Sequence, residues 1–112
     1  MPINLLILAG TIEATRLAKK ISDVGINAVL SYAGRVERLK PQPLPKRIGG
    51  FGGVAGLCNY IEASAITHVI DATHPFANQM SRNAVDACSH LKVPLLALTR
   101  PPWIAQRGDF WT

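Results

Sequence analysis

Four short apolar runs along the chain alternate with segments in which apolar and polar positions recur at helical spacing. A continuous apolar run is typical of a strand that is buried on both faces of a parallel sheet. After the first run, apolar residues recur every three or four positions until Gly25, which is the pattern of one helix face followed by a helix stop. The predicted strands are residues 3–8, 26–33, 66–71 and 94–99.

Two further helices are predicted between the later runs. The second follows residue 53, where apolar residues again keep the spacing of one helix face. The third starts near Pro75, because proline suits the first helical turn, where its missing N–H would have no partner anyway. Residues 34–46 contain three prolines and several basic residues, which predicts a loop. This order of elements predicts one α/β domain, residues 1–112, with a doubly wound parallel sheet.

The predicted topology places two polar strand ends side by side. Right-handed crossovers leave few topologies, and in the usual order the first strand lies beside the strand that ends at Asp71. Gly10 and Thr11 then lie next to Thr73 and His74. Because ligands of parallel α/β proteins bind just beyond the carboxyl ends of strands, these residues are the first candidates for a site.

The ends of the first two strands both predict contacts with a nucleotide cofactor. Gly10 and Thr11 lie between a strand and a helix, where backbone N–H groups and the helix dipole can bind a phosphate. An ordinary tight turn with Thr11 as the helix N-cap explains the same residues. Ser31 and Arg35, with no acidic residue in line, favour a 2′-phosphate and hence NADPH over NADH; a solvated loop arginine is the alternative.

A stretch with four glycines around Phe51 precedes the second helix. Gly52 and Gly53 are predicted to bind the cofactor, because glycine lets a backbone approach a ligand closely or adopt a positive φ. Phe51 is predicted to contact the substrate. A flexible linker is the alternative interpretation of the whole stretch.

The segment after the third apolar run contains the best candidate for acid–base catalysis, His74, which is also a candidate for cofactor binding. Thr73 is a further candidate for cofactor binding, while Asp71 and Arg100 are predicted to contact the substrate. A histidine before a proline can equally be structural. His68 lies about three residues, or ~10 Å, back along the same strand and is predicted to be structural.

Composition and charge narrow the classes of protein. Hydrophobic residues make up 48% of the chain, which predicts a globular domain. No apolar run approaches the roughly 20 residues that a transmembrane helix needs, so no membrane partner is expected. A net charge of +5 suits a polyanionic partner. Nucleic acid is the weaker case among such partners, because no nucleic-acid-binding motif is found and no aromatic residues interleave with the basic cluster.

Two cysteines, Cys58 and Cys88, are separated by a whole predicted strand and fall on apolar helix faces. Reduced, buried thiols are expected, with a disulfide or a metal pair as the alternative, and no metal site is predicted. The start of the chain lacks the basic segment of a secretory signal. The expected compartment is therefore the cytoplasm.

Taken in order, these stretches resemble the N-terminal half of the precorrin-6A reductase family of the cobalamin pathway. The resemblance covers nearly the whole chain, and the pairing of the Asp71–Ala77 segment with the glycine-rich stretch is its most specific part. Ala9 and Ala97 depart from the family pattern, where a glycine and a larger, often basic residue are expected. The matching stretches are Ile7–Ala14, Ser31–Arg35, Gly49–Gly53 with Gly56 and Leu57, Val69–Ala77, Met80–Ala84, Pro94–Leu96 and Arg100–Trp103.

The resemblance implies NADPH-dependent reduction of one carbon–carbon double bond of precorrin-6A, or of its cobalt form, to precorrin-6B. It also implies two Rossmann-like lobes with cofactor and tetrapyrrole in the cleft between them, so that this chain is the N-terminal lobe and a second lobe is absent from it. The acidic side chains of such a substrate fit the basic net charge. The lobe alone is expected to fold without turning over substrate.

Two hypotheses from other classes stand beside the reductase. One is a stand-alone nucleotide- or anion-binding module without turnover, and the other is a nucleic-acid-binding domain that uses the basic loop. The sequence leaves open the metal state of the substrate, the oligomeric state and the identity of any proton donor.

Overall fold

A computed structural model describes residues 3–32, 44–73 and 78–98, apart from the side chains of residues 12 and 78. Strands and helices alternate along these ranges, except that β2 is followed in the described residues by β3. The strands are β1 (Asn4–Leu8), β2 (Asn27–Tyr32), β3 (Lys46–Ile48), β4 (His68–Asp71) and β5 (Leu95–Ala97). The helices are α1 (Ile12–Val24), α2 (Gly53–Ala63) and α3 (Asn78–Leu91).

These strands form one parallel sheet in the order β3-β2-β1-β4-β5. In the centre, β1 pairs with β2 on one side and β4 on the other, so that Leu8 lies opposite both Ser31 and Asp71. The structure confirms the predicted doubly wound parallel sheet and the predicted place of the first strand beside the strand that ends at Asp71. The chain moves outwards through β2 and β3 and then crosses back to β4, so the switch point lies between β1 and β4.

Strand β3 corrects the sequence prediction, which had four strands and a loop over residues 34–46. Lys46–Ile48 pairs with β2, and Arg47 lies opposite Ser31. The apolar pattern missed this strand because it has three residues, two of them basic, and lies at the edge of the sheet. Residues 34–43 of the predicted loop lie outside the described residues.

The remaining element boundaries differ from the prediction by a few residues. Helix α1 follows Thr11, and Gly25 ends it in the left-handed conformation with φ of 77°, as the predicted helix stop requires. The described part of the third helix is Asn78–Leu91, and its predicted start at Pro75 lies outside the described residues. Among the described helices, none has the length and apolarity needed to cross a lipid bilayer.

Two apolar clusters pack on opposite faces of the sheet. In β1, Leu5 and Ile7 pack in the same cluster as residues of α1, while Leu6 and Leu8 pack with residues of α2 and α3. This division follows from the alternation of side chains along a strand. Each fully buried side chain of this kind contributes about 1.5–3 kcal/mol through the hydrophobic effect. The uninterrupted apolar run of β1 therefore reflects burial on both faces.

Over β4 and β5, part of one sheet face is open. A groove of about 440 Å³ runs beside Leu5, Ile70 and Leu96, and the side chain of Leu96 is 59% exposed.

Candidate functional site

The ends of β1, β2, β3 and β4 are hydrogen-bonded to one another along one side of the sheet, which we call the carboxyl edge. The bonds that join them run from Ala9 N to Ser31 O (2.8 Å), from Gly49 N to Tyr32 O (2.8 Å) and from Ala72 N to Leu8 O (2.9 Å). They continue the pairing of the sheet by one residue beyond the strands. Gly10, Thr11, Ser31 and Thr73 therefore come to the same edge, as the predicted topology required.

The turn between β1 and α1 has free space beside Gly10 and a Thr11 hydroxyl whose proton is already donated to another residue. Gly10 has a φ of 144°, and a Cβ on it would meet no atom within 4 Å. The Thr11 hydroxyl accepts a hydrogen bond from Ala14 N (3.2 Å) and donates one to Ala72 O (2.7 Å). The N-cap interpretation of Thr11 is thus confirmed, and the cap also ties α1 to the end of β4. Any phosphate contact at this turn would rest on backbone N–H groups rather than on that hydroxyl.

At the end of β4, a buried carboxylate is held by three hydrogen bonds. Oδ1 of Asp71 accepts from the Thr73 backbone N–H (3.1 Å) and from the Thr73 hydroxyl (2.6 Å). Oδ2 accepts from the Ser81 hydroxyl on α3 (2.6 Å). Asp71 and Thr73 are 4% and 5% exposed. The geometry makes Asp71 the anchor of the β4–α3 connection, and its predicted contact with substrate stays a prediction.

A basic side chain that the sequence treated only as part of a charged cluster organises the other half of the edge. Nη1 of Arg47 donates to Ser31 Oγ (3.0 Å) and to Gly49 O (3.0 Å), and Nη2 donates to Gly50 O (3.3 Å). Its guanidinium carbon lies 4.0 Å from the centre of the Phe51 ring. No apolar period could reveal this role, because it depends on Arg47 being the strand partner of Ser31.

The glycine-rich stretch is folded back on α2 rather than extended away from it. The Phe51 ring packs edge-to-face on Tyr60 of α2, with ring centres 5.2 Å apart. A Cβ at Gly56 would lie 1.6 Å from the Phe51 carbonyl oxygen, so this contact requires glycine at position 56. Phe51 is partly buried, and its predicted contact with substrate stays a prediction.

The two glycines that precede the first full turn of α2 leave open space. Gly52 and Gly53 have φ values of 87° and 76°, in the left-handed region that favours glycine. A Cβ on either would meet no atom within 4 Å. Both glycines are exposed, and their predicted contact with the cofactor stays a prediction.

Three of the predicted site residues, Arg35, His74 and Arg100, lie outside the described residues. His68 is described: its Nδ1 is 2.8 Å from the Thr67 hydroxyl, at the end of β4 remote from the carboxyl edge. This position agrees with the structural role predicted for it. Among residues 3–32, 44–73 and 78–98, no three His, Cys, Asp or Glu side chains are grouped so as to hold a metal ion.

Behind the sheet, α2 and α3 carry the two cysteines as free thiols. Cys88 is buried, and Cys58 is partly buried with its Sγ 4.0 Å from Ala87 O. Burial, with a smaller contribution from Cys58, raises the pKa of the Cys88 thiol to about 11. The structure thus agrees with the predicted reduced thiols, and the Cys88 thiol is protonated at neutral pH.

Comparison with protein families identifies the family of this chain. Residues 4–112 match the family model described as precorrin-6x reductase CbiJ/CobK. The chain belongs to this family. The family resemblance inferred from the sequence is therefore confirmed.

Individual relatives extend the comparison to named enzymes. The chain is 61% identical over 109 residues to a precorrin-6A reductase of Rhodobacter capsulatus, an alignment that covers 97% of this chain and 43% of the relative. It is 47% identical over 110 residues to a precorrin-6A reductase of a Sinorhizobium species, with 97% and 42% covered. A cobalt-precorrin-6A reductase of Methanocaldococcus jannaschii is 29% identical over 107 residues, with 87% and 40% covered.

A solved structure gives the same result in three dimensions. The structure of a CobK precorrin-6A reductase superposes with a TM-score of 0.88 at 60% sequence identity, covering 98% of this chain and 44% of that chain. The chain thus spans less than half the length of the relatives that it matches.

Proposed function

We propose that this chain binds NADPH and takes part in the reduction of one carbon–carbon double bond of precorrin-6A, or of its cobalt form, to precorrin-6B in cobalamin biosynthesis. The carboxyl edge is the observation that carries the proposal, because it brings Gly10 and the start of α1, beside the switch point between β1 and β4, to the same side of the sheet as the glycine-rich stretch that follows β3. Membership of the precorrin-6x reductase family and the names of the relatives support the substrate and the reaction.

The open glycines support the fit of a nucleotide cofactor. Space is free where a Cβ would stand at Gly10, Gly52 and Gly53, so a phosphate could approach the backbone at all three. Two helices, α1 and α2, begin beside these glycines, and the positive ends of their dipoles favour an anion. We assign the phosphate groups of the cofactor to this region.

Each remaining residue of the edge has a separate proposed role. Ser31, with Arg35, recognises the 2′-phosphate and so favours NADPH over NADH. Thr73 and His74 contact the cofactor beside the switch point, and His74 is the best candidate for handling a proton. Bound NADPH would supply the hydride, while these residues orient it and exclude water. The buried Asp71 keeps Thr73 in place through its hydrogen bonds.

The tetrapyrrole is proposed to lie against the same edge. Phe51, Asp71 and Arg100 are the proposed contacts, and the net charge of +5 favours a substrate that carries several carboxylates. In this proposal, residues 1–112 form an NADP-binding lobe that supplies one wall of a cleft, and further sequence of the kind found in the longer relatives supplies the other wall. The proposed compartment is the cytoplasm.

A stand-alone nucleotide-binding module without turnover is the second candidate, because the described part of the edge supplies open glycines and helix starts, while the best candidate for acid–base catalysis, His74, lies outside the described residues. The two candidates differ in their behaviour when the chain is joined to the remaining length of the Rhodobacter capsulatus relative. We expect residues 1–112 to bind NADPH but not to oxidise it with precorrin-6A, since misplacement of reacting groups by ~1 Å can cost about 100-fold in rate.

The experiment measures NADPH binding and NADPH oxidation for residues 1–112 and for that chimera. Binding by both and turnover by the chimera alone supports the reductase. Binding without turnover in either supports the module, while comparable turnover by residues 1–112 would show that one lobe suffices. Failure of residues 1–112 to bind NADPH would contradict both candidates.

A further inference from the structure

Arg47 is the one described side chain that touches both β2 and the glycine-rich stretch through hydrogen bonds. Its Nη1 bonds the buried hydroxyl of Ser31 and the carbonyl of Gly49, and its Nη2 bonds the carbonyl of Gly50. The distances are 3.0, 3.0 and 3.3 Å. Charged donors make such bonds stronger than neutral ones, and the planar guanidinium fixes their directions.

Aromatic contacts restrict the guanidinium further. Its carbon lies 4.0 Å from the centre of the Phe51 ring and 5.0 Å from that of the Tyr60 ring. Both distances fall within the range of cation–π attraction. Because Tyr60 belongs to α2, Arg47 is positioned by the helix as well as by the strand that carries it.

Two carbonyl groups that point to Arg47 determine where the neighbouring N–H groups point. In a trans peptide, the C=O and the following N–H are directed to opposite sides, and no peptide of the described residues is cis. The carbonyls of Gly49 and Gly50 face the guanidinium. The N–H groups of Gly50 and Phe51 are therefore turned away from it, and they lie just ahead of Gly52 and α2.

We propose that Arg47 is a positioning residue for cofactor binding, which sets the conformation of the Gly49–Gly53 segment so that the backbone N–H groups of Gly50 and Phe51 face the cofactor phosphates; this rests on the proposed NADPH binding. Arg47 acts through the loop, because three of its five N–H donors are bonded to Ser31 and to the loop carbonyls. NADPH and NADH share the phosphates that the loop would bind. Loss of Arg47 is therefore expected to weaken both cofactors, with a further loss for NADPH through Ser31, the bonded partner of Arg47 that is proposed to contact the 2′-phosphate.

The test compares wild-type protein with Arg47→Met, Arg47→Lys and a control, Lys20→Met, which removes an exposed charge far along α1. Dissociation constants for NADPH and NADH are measured by fluorescence titration and corrected for the folded fraction. Amide hydrogen exchange is followed at Gly49, whose N–H donates to Tyr32 O, in the absence of cofactor. Arg47→Met is expected to weaken both cofactors about 10-fold or more and to speed exchange at Gly49. Arg47→Lys is expected to recover only part of the affinity, since an ammonium cannot reproduce the forked bonds.

Each other outcome overturns a distinct statement. A loss confined to NADPH would assign Arg47 to recognition of the 2′-phosphate, directly or through Ser31, and not to the loop. Unchanged affinity per folded molecule would reduce Arg47 to a structural residue. If wild type binds neither cofactor, the proposed function fails. The exchange data then decide separately whether Arg47 holds the loop. Unchanged exchange in Arg47→Met would overturn the positioning role of Arg47.

Discussion

At the β1–β4 half of the carboxyl edge, the buried carboxylate of Asp71 receives three hydrogen bonds from Thr73 and Ser81, two of them 2.6 Å long. At the β2–β3 half, one partly buried arginine, Arg47, holds the carbonyls of Gly49 and Gly50 at 3.0 and 3.3 Å. Both halves border the proposed cofactor site. They differ in burial, in bond length and in the size of the side chain that supplies the bonds.

Because of this difference, substitutions in the two halves should have different effects. Short side chains around a buried carboxylate lose little conformational entropy, and breaking one partner leaves other buried polar groups without a bond. A long arginine over glycines orders a segment whose backbone would otherwise sample many conformations. Damage to the first half should therefore be visible mainly in folding stability, and damage to the second half mainly in ligand binding.

Removing the carboxylate of Asp71 from the β1–β4 half should give the largest loss of folding stability. Asp71→Ala leaves the hydroxyls of Thr73 and Ser81 without their acceptor, and we expect the free energy of unfolding to fall by about 3 kcal/mol. Urea unfolding followed by circular dichroism measures this. Asp86→Ala, at an exposed position on α3, is the control and should change the value by less than about 0.5 kcal/mol. Equal losses in the two variants would contradict the buried network.

Cofactor preference provides a second test, because Arg35 is proposed to contact the 2′-phosphate and Arg47 to position the glycine-rich stretch. Wild type should bind NADPH more tightly than NADH, and Arg35→Ala should cost about 1.5–3 kcal/mol of NADPH affinity while leaving NADH unchanged. Titrations with both cofactors measure the ratio. Equal affinity of the wild type for the two cofactors would contradict the assignment of Ser31 and Arg35 to the 2′-phosphate.

The β2–β3 half can be perturbed by placing a side chain in the open space at Gly52. Asn tolerates the left-handed conformation of Gly52, so Gly52→Asn should keep most of the folding stability while its side chain obstructs the phosphates, weakening NADPH by about 10-fold. Gly52→Val should additionally lose stability, since a β-branched residue is strained there. Titration and thermal unfolding measure the two effects.

The matched control is Gly25→Asn, which makes the same change at a left-handed glycine with φ of 77° at the far end of α1. It should leave NADPH binding unaltered. If Gly52→Asn and Gly25→Asn reduce stability equally and neither affects binding per folded molecule, the glycine-rich stretch is only a connector.

The smallest effect is expected in the thiol pair behind the sheet, which belongs to neither half. The pKa of Cys88 is raised to about 11 in the folded protein from an ordinary value of 9.0, mainly by burial. Its contribution to stability is therefore complete below pH 9 and is lost as the pH rises towards 11. Unfolding free energies of wild type and Cys88→Ala, measured from pH 7 to pH 11, should converge over that window. Parallel curves would contradict the shift.

Several of the confirmed predictions share one feature, which is that their signals are local in sequence. The apolar run of β1, the stop of α1 at Gly25 and the cap at Thr11 each involve neighbouring residues. Strand β3 was not predicted, because it is an edge strand with two basic residues and has no apolar run that would indicate a buried strand. The hydrogen bond from Ser81 to Asp71 was not predicted either, because Ser81 lies ten positions further along the chain, on α3, and no local pattern links the two residues.

The order of apolar runs and helical periods by itself determined the parallel α/β fold, the place of β1 beside β4 and the edge at which Gly10, Ser31 and Thr73 lie. These follow from burial, which depends on the type of residue at each position. Only the tertiary structure decided that Arg47 would be the partner of Ser31, sixteen positions away, and would hold the glycine-rich stretch. That pairing depends on strand register, and a shift of register by one residue would turn Arg47 to the opposite face of the sheet.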